Sequence, residues 1–123
     1  MKSCNPFYDY VGDLFAALGQ IRIRKMFGGA GVYSGEDMFA LLDGDQIYLK
    51  TDDALKIKLV AEGGSAFEWT NPKTGKTMVM SYVSIPSSAL DDTDEACVWA
   101  RKALDVAMRA RQAKVKSPRR RPL

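Results

Sequence analysis

Arg22, Arg24 and Lys25 fall on one short stretch, with Phe27 and Tyr33 beside it. Cations interleaved with aromatic rings suit single-stranded nucleic acid, because cations follow phosphates and rings stack on bases. The competing use of the same residues is a solvated strand face. A second basic group, Lys114, Lys116, Arg119, Arg120 and Arg121, stands near the C-terminal end. Flexible basic segments neutralise phosphates without reading sequence, and salt weakens them. Residues 101–123 hold nine Lys or Arg and a single acid, so behind the overall charge of +3 the remainder carries five excess acids.

Other motifs promise more chemistry than their surroundings allow. Residues 70–77, Thr-Asn-Pro-Lys-Thr-Gly-Lys-Thr, resemble a phosphate-binding loop with Thr70 in place of the first glycine. Such a loop must open a helix, whose N-terminal amides hold the phosphate. Here the β-rich run Met78 to Ile85 follows, then Pro86, so a hairpin loop is expected. Gly29-Ala30-Gly31 begins like a dinucleotide fingerprint, but Ser34 occupies the third glycine position and no helix follows directly. Asp43 with Asp45, Asp52 with Asp53, and the acids from Asp91 to Glu95 all sit at turns or helix starts, where caps and solvated acids belong.

Composition removes further classes. The chain of 123 residues has no histidine, which excludes Ser-His-Asp and Cys-His relays and imidazole metal ligands. Its two cysteines, Cys4 and Cys97, are too few for a four-thiolate zinc site and read as reduced thiols. No catalytic, metal-ligating or cofactor-binding residue is therefore assigned. The enzyme alternative is a small-molecule or nucleotide site at the Gly28 to Gly31 bend, served by Lys73 or Lys76. No signal peptide and no membrane span are legible, so a cytoplasmic protein is expected.

The elements that must position these residues follow from periodicity. Asn5-Pro6 starts a helix carrying Phe7, Tyr10, Val11, Leu14, Phe15 and Leu18 at helical spacing, stopped by Gly19. From Ile21 the period becomes two, with Ile21 and Ile23 on one side and Arg22 and Arg24 on the other. The glycines at 28–31 interrupt this strand as a bulge or sharp bend before Val32-Tyr33. Met38–Leu42 and Gln46–Lys50 complete a three-strand meander. Thr51 or Asp52 caps a second helix that ends at Gly63-Gly64. Phe67–Thr70 and Lys76–Ile85 form a hairpin, and a long Ala-rich helix follows the acids at 91–95. The pattern predicts an α+β fold, a two-layer α-βββ-α-ββ-α arrangement with an antiparallel sheet and helices on one face. Residues 1–113 form the domain and 114–123 a basic, disordered tail. Met78, Met80 and Tyr82 alternate with Val79, Val83 and Ile85, so both sheet faces are partly apolar and self-association into a homodimer is a further expectation.

Several stretches together resemble the N-terminal domain of the TfoX/Sxy family of bacterial competence regulators. They are Arg24-Lys-Met-Phe-Gly-Gly-Ala-Gly-Val-Tyr33, Met38-Phe-Ala40, Ile47-Tyr-Leu-Lys-Thr-Asp52, Met80-Ser-Tyr82, Ile85-Pro86 and Trp99-Ala-Arg-Lys-Ala103. The resemblance spans roughly residues 7 to 110. It implies the same α-βββ-α-ββ-α fold and a non-enzymatic role as a transcriptional co-regulator of DNA-uptake genes, linked to the cyclic-AMP receptor protein. It also implies that Met26, Phe27, Gly28, Gly29, Tyr48, Lys50 and Tyr82 are motif residues serving fold or interaction. Full-length regulators carry a second, helical domain, where this sequence ends in a basic tail. The expected partner is a protein of the transcription machinery or a regulator, with DNA touched by the tail.

Overall fold

A computed structural model of the chain describes residues 6–26 and 29–116, with the side chains of Met26 and of 114–116 outside that description. The elements in order are α1 (Pro6–Leu14), β1 (Arg22–Met26), β2 (Gly29–Ser34), β3 (Asp37–Asp43), β4 (Gln46–Lys50), α2 (Asp53–Ala61), β5 (Ala66–Thr70), β6 (Thr77–Ser84) and α3 (Thr93–Lys116). The six strands form one antiparallel sheet in the order β1-β2-β3-β4-β6-β5. The α+β class is as the sequence predicts, but the strand count is not. The stretch expected as one strand broken by glycines is two strands paired antiparallel, Met26 opposite Gly29 and Arg22 opposite Tyr33. A glycine run permits a bend or a reversal equally, and only the partner strand decides.

The helices lie on one face because the strands are apolar there. Val32, Ala40, Leu49 and Val83 are neighbours across successive strands, as are Ala30, Leu42 and Ile47, and all seven are buried. Against them pack Val11, Leu14 and Phe15 from the first helical segment, Leu55 and Leu59 from α2, and Ala96, Ala100 and Ala103 from α3. Alanines on the inner stripe of α3 let its backbone approach the sheet closely. Cys97 is buried in the same helix, its Sγ 3.5 Å from the Leu14 carbonyl oxygen.

Local punctuation differs in detail from the sequence reading. The first helix stops at Leu14, and Ala16–Leu18 forms a 3-10 turn that ends at Gly19, whose φ of 101° suits glycine. A second 3-10 turn, Ser87–Asp91, occupies the polar stretch before α3. The last helix runs through Lys116, so Lys114 and Lys116 belong to its backbone rather than to a separate tail. Residues 117–123, with Arg119, Arg120 and Arg121, lie outside the described residues. Among the described residues, no helix is long and apolar enough to cross a membrane.

Of the two residues that could cap α2, Asp52 does so, its carboxylate accepting the Leu55 N–H at 2.8 Å. That bond above all holds the Asp52 carboxyl below its ordinary range; desolvation opposes it, and the nearby Arg109 guanidinium adds to the lowering. Asp52→Ala is expected to cost about 1 kcal/mol at neutral pH, or roughly 4 °C in a domain of this size. A carboxyl depressed in the folded state stabilises above its unfolded pKa and loses that contribution as pH falls through the folded value. The gap between parent and variant melting curves should therefore be full at pH 7 and close on acidification below the ordinary carboxylate range.

Candidate functional site

The other face of the sheet is built by the alternate residues of the same strands. Arg24, Gly31, Leu41, Tyr48 and Ser84 form one row across it, and Arg22 pairs with Tyr33, which in turn pairs with Met38. Lys50 lies opposite Tyr82. Tyr82 is buried, yet it stands apart from the core cluster on the helical side. Among the described residues, no helix packs over this face.

Cations and rings are paired on it. The Arg22 and Arg24 guanidinium carbons lie 5.4 and 6.0 Å from the Tyr33 ring centroid. The Lys50 Nζ lies 5.2 Å from the Tyr82 centroid and donates to Ser81 Oγ at 3.3 Å. Arg22 also donates to the Gly35 carbonyl at 3.0 Å. Tyr48 meets Phe67 edge to face at 5.0 Å between centroids. Burial, and secondarily Tyr33, push the Tyr82 hydroxyl pKa up. Among the described residues, no carboxylate forms an ion pair with Arg22, Arg24 or Lys50.

The structure thus gathers five of the expected residues, Arg22, Arg24, Tyr48, Lys50 and Tyr82, on one surface. It removes Lys25 from that group. Lys25 pairs with Ala30, a core-face residue, so it points to the opposite side of the sheet from Arg24. Gly29 has a packing role: a Cβ there would stand 2.1 Å from the Leu42 carbonyl oxygen. Met26 closes the β1–β2 pair, and Phe27 and Gly28 lie outside the described residues. Phe67 was not singled out from sequence. Its link to Tyr48 depends on β6 lying between β4 and β5, which alternation along one strand does not reveal.

The remaining candidates resolve into structural roles. Residues 70–77 are the expected hairpin: Asn71 N–H donates to the Lys76 carbonyl at 2.8 Å, Gly75 N–H to that of Asn71 at 2.8 Å, and the Thr70 and Thr77 hydroxyls meet at 2.9 Å. Lys73 and Lys76 stand on this hairpin at one edge of the sheet, while Gly29 and Gly31 lie toward the other. The intervening strand steps from β2 to β6 amount to about 14 Å, which separates the parts that the enzyme alternative joins. Asp92 caps α3 by accepting from Asp94 and Glu95 N–H groups at 3.0 and 3.1 Å. Glu95 accepts from Ser88 Oγ and Trp99 Nε1. Among the described residues, no cluster of three metal-ligating side chains occurs.

Part of the basic C-terminal end is already committed. Arg111 holds the buried Asp37 with contacts of 2.7 and 3.3 Å, and this hydrogen bonding raises the Arg111 pKa. Arg109 bridges Asp105 at 2.9 Å and Asp52 at 3.4 Å. Those two arginines tie α3 to β3 and to the cap of α2.

One comparison bears on this arrangement. The TfoX N-terminal domain family matches residues 13–107. No curated protein matches the chain.

Proposed function

Since the chain belongs to the TfoX N-terminal domain family, we propose that it is a non-enzymatic, cytoplasmic regulatory module that acts on transcription of DNA-uptake genes through a protein partner. The observation that supports a protein contact is the β5–β6 arm. Trp69 stands directly opposite Met78, and Glu68 opposite Val79. Trp69 and Met78 share one side of the arm and are 37% and 55% exposed, while Val79, on its other side, is 60% exposed. Large apolar side chains grouped in this way mark interaction surfaces. β5 is also a sheet-edge strand, with backbone groups available to an added strand. The partner suggested by the family is the cyclic-AMP receptor protein at a promoter.

The test is transcript abundance of DNA-uptake genes in a competent bacterium expressing the parent chain or a Trp69→Ala/Met78→Ala variant. In parallel, the purified receptor on promoter DNA is titrated with each chain and binding is followed by calorimetry. The parent should raise the transcripts and bind. Truncating an interface tryptophan of this kind costs about 2 kcal/mol or more, so the variant should bind about thirtyfold more weakly and lose induction. Equal induction by both chains, or by neither, would reject this role for the arm.

A further inference from the structure

We infer that the open face of the sheet binds single-stranded nucleic acid, with Arg22, Arg24 and Lys50 taking the phosphates and Tyr33, Tyr48 and Phe67 stacking the bases. This surface is distinct from the Trp69–Met78 pairing, and its occupant is read from its own chemistry. An antiparallel sheet with helices on one side and half-buried rings on the other offers flat platforms at which splayed bases can stack. Tyr33, Tyr48 and Phe67 are each half-buried, which holds the rings while leaving them accessible.

Charge selects among the possible occupants. The three cations have no carboxylate partner among the described residues, and each lies over a ring. A second copy seated face to face would bring like charges together, which opposes self-association here. An acidic peptide would satisfy the cations but would leave the three rings without flat partners. A duplex keeps its bases stacked on each other and offers phosphates and groove edges but no free base faces. A single strand supplies both phosphates and free base faces.

The experiment is an anisotropy titration of labelled dT20, rU20, a 20-base-pair duplex and an oligo-glutamate peptide with the full chain. Two variants are compared: Arg22→Ala/Arg24→Ala/Lys50→Ala, and Tyr48→Leu. Light scattering and melting curves establish oligomeric state and folding for each. Single strands should bind more tightly than the duplex. The triple variant should bind more weakly by over tenfold and show a shallower dependence on salt. Tyr48→Leu should lose about tenfold while keeping the salt slope, because stacking is a non-ionic contribution. A preference for dT20 or rU20 names the sugar and supports the assignment either way. Unchanged binding by the triple variant would place nucleic acid elsewhere, including on the basic C-terminal end, and overturn the proposal. So would tighter binding of duplex or oligo-glutamate, a dimer that the triple substitution strengthens in place of binding, or no binding at all.

Discussion

Gly29→Ala is expected to unfold the domain at ambient temperature or to lower its melting temperature by at least about 10 °C. The added Cβ would sit 2.1 Å from the Leu42 carbonyl oxygen and 3.3 Å from its carbon. Both atoms are backbone, so no rotamer change relieves the clash. Relief requires β2 to move away from β3 at the point where Ala30 pairs with Leu42 and both are buried. Overpacking of a close-packed interior typically costs about 1–3 kcal/mol even where side chains can yield, and backbone against backbone should exceed that. Stability of a domain is only about 5–15 kcal/mol. Gly12→Ala is the control. Gly12 lies within α1 and nothing stands within 4 Å of its added Cβ. Replacing a helical glycine should raise stability by about 0.5–1 kcal/mol. Thermal melts of the two variants beside the parent separate steric crowding from a general intolerance of alanine. A melt of Gly29→Ala at the parent's temperature would show that its place in the motif is not set by this close approach.

The same glycine shows what sequence could reach. Glycines before Val32 signal a special backbone, but they do not tell a bend within a strand from the reversal between two. The distinction depends on Arg22 facing Tyr33, a pairing of residues eleven apart in sequence. Alternation worked where it was applied along one strand. It placed Arg22 and Arg24 together, and it put Tyr82 opposite to Val83. Applied one residue further, it would have sent Lys25 to the other side, as the register does. It could not place Phe67 beside Tyr48, because β6 enters the sheet between β4 and β5 out of chain order. The acids were legible as caps and turn residues because those roles are local. Asp37 was not, since its partner Arg111 lies 74 residues away. The basic C-terminal end reads from composition as a uniform phosphate-binding segment, yet Arg109 and Arg111 serve the fold through Asp52, Asp105 and Asp37.

Phe39 stands at a bulge of β3 close to Asp37, the partner of Arg111, and Phe39→Ala is expected to be among the most destabilising core truncations. Val32 pairs with Ala40 and Tyr33 with Met38, so Phe39 is an extra residue on β3 with no partner on β2. This bulge lets Phe39 and Ala40, adjacent in sequence, both be fully buried. It also resets the alternation, so that Met38 joins the open face with Tyr33 while Asp37 turns toward α3. The Phe39 ring stands edge to face with Phe15 at 5.6 Å and 89°, joining the sheet to the end of the first helix. Removing a buried phenyl ring costs about 3–5 kcal/mol through lost transfer energy and the cavity left behind. Loss of the aromatic pair adds about 0.5–1.5 kcal/mol within that range. At roughly 4 °C per kcal/mol the melting temperature should fall by about 12–20 °C. Phe39→Leu retains most of the volume and should lose less than half as much. Deleting Phe39 outright is a different experiment, since it removes the ring together with the bulge and leaves Val32 opposite Ala40, Tyr33 opposite Met38 and Ser34 opposite Asp37 in an unbroken ladder. That variant should keep Asp37 on the side of Arg111 and lose about as much stability as Phe39→Ala, and chemical denaturation of all three beside the parent measures the difference. If the deletion unfolded the domain where Phe39→Ala did not, the bulge itself, and not only the ring, would be holding β3 in place.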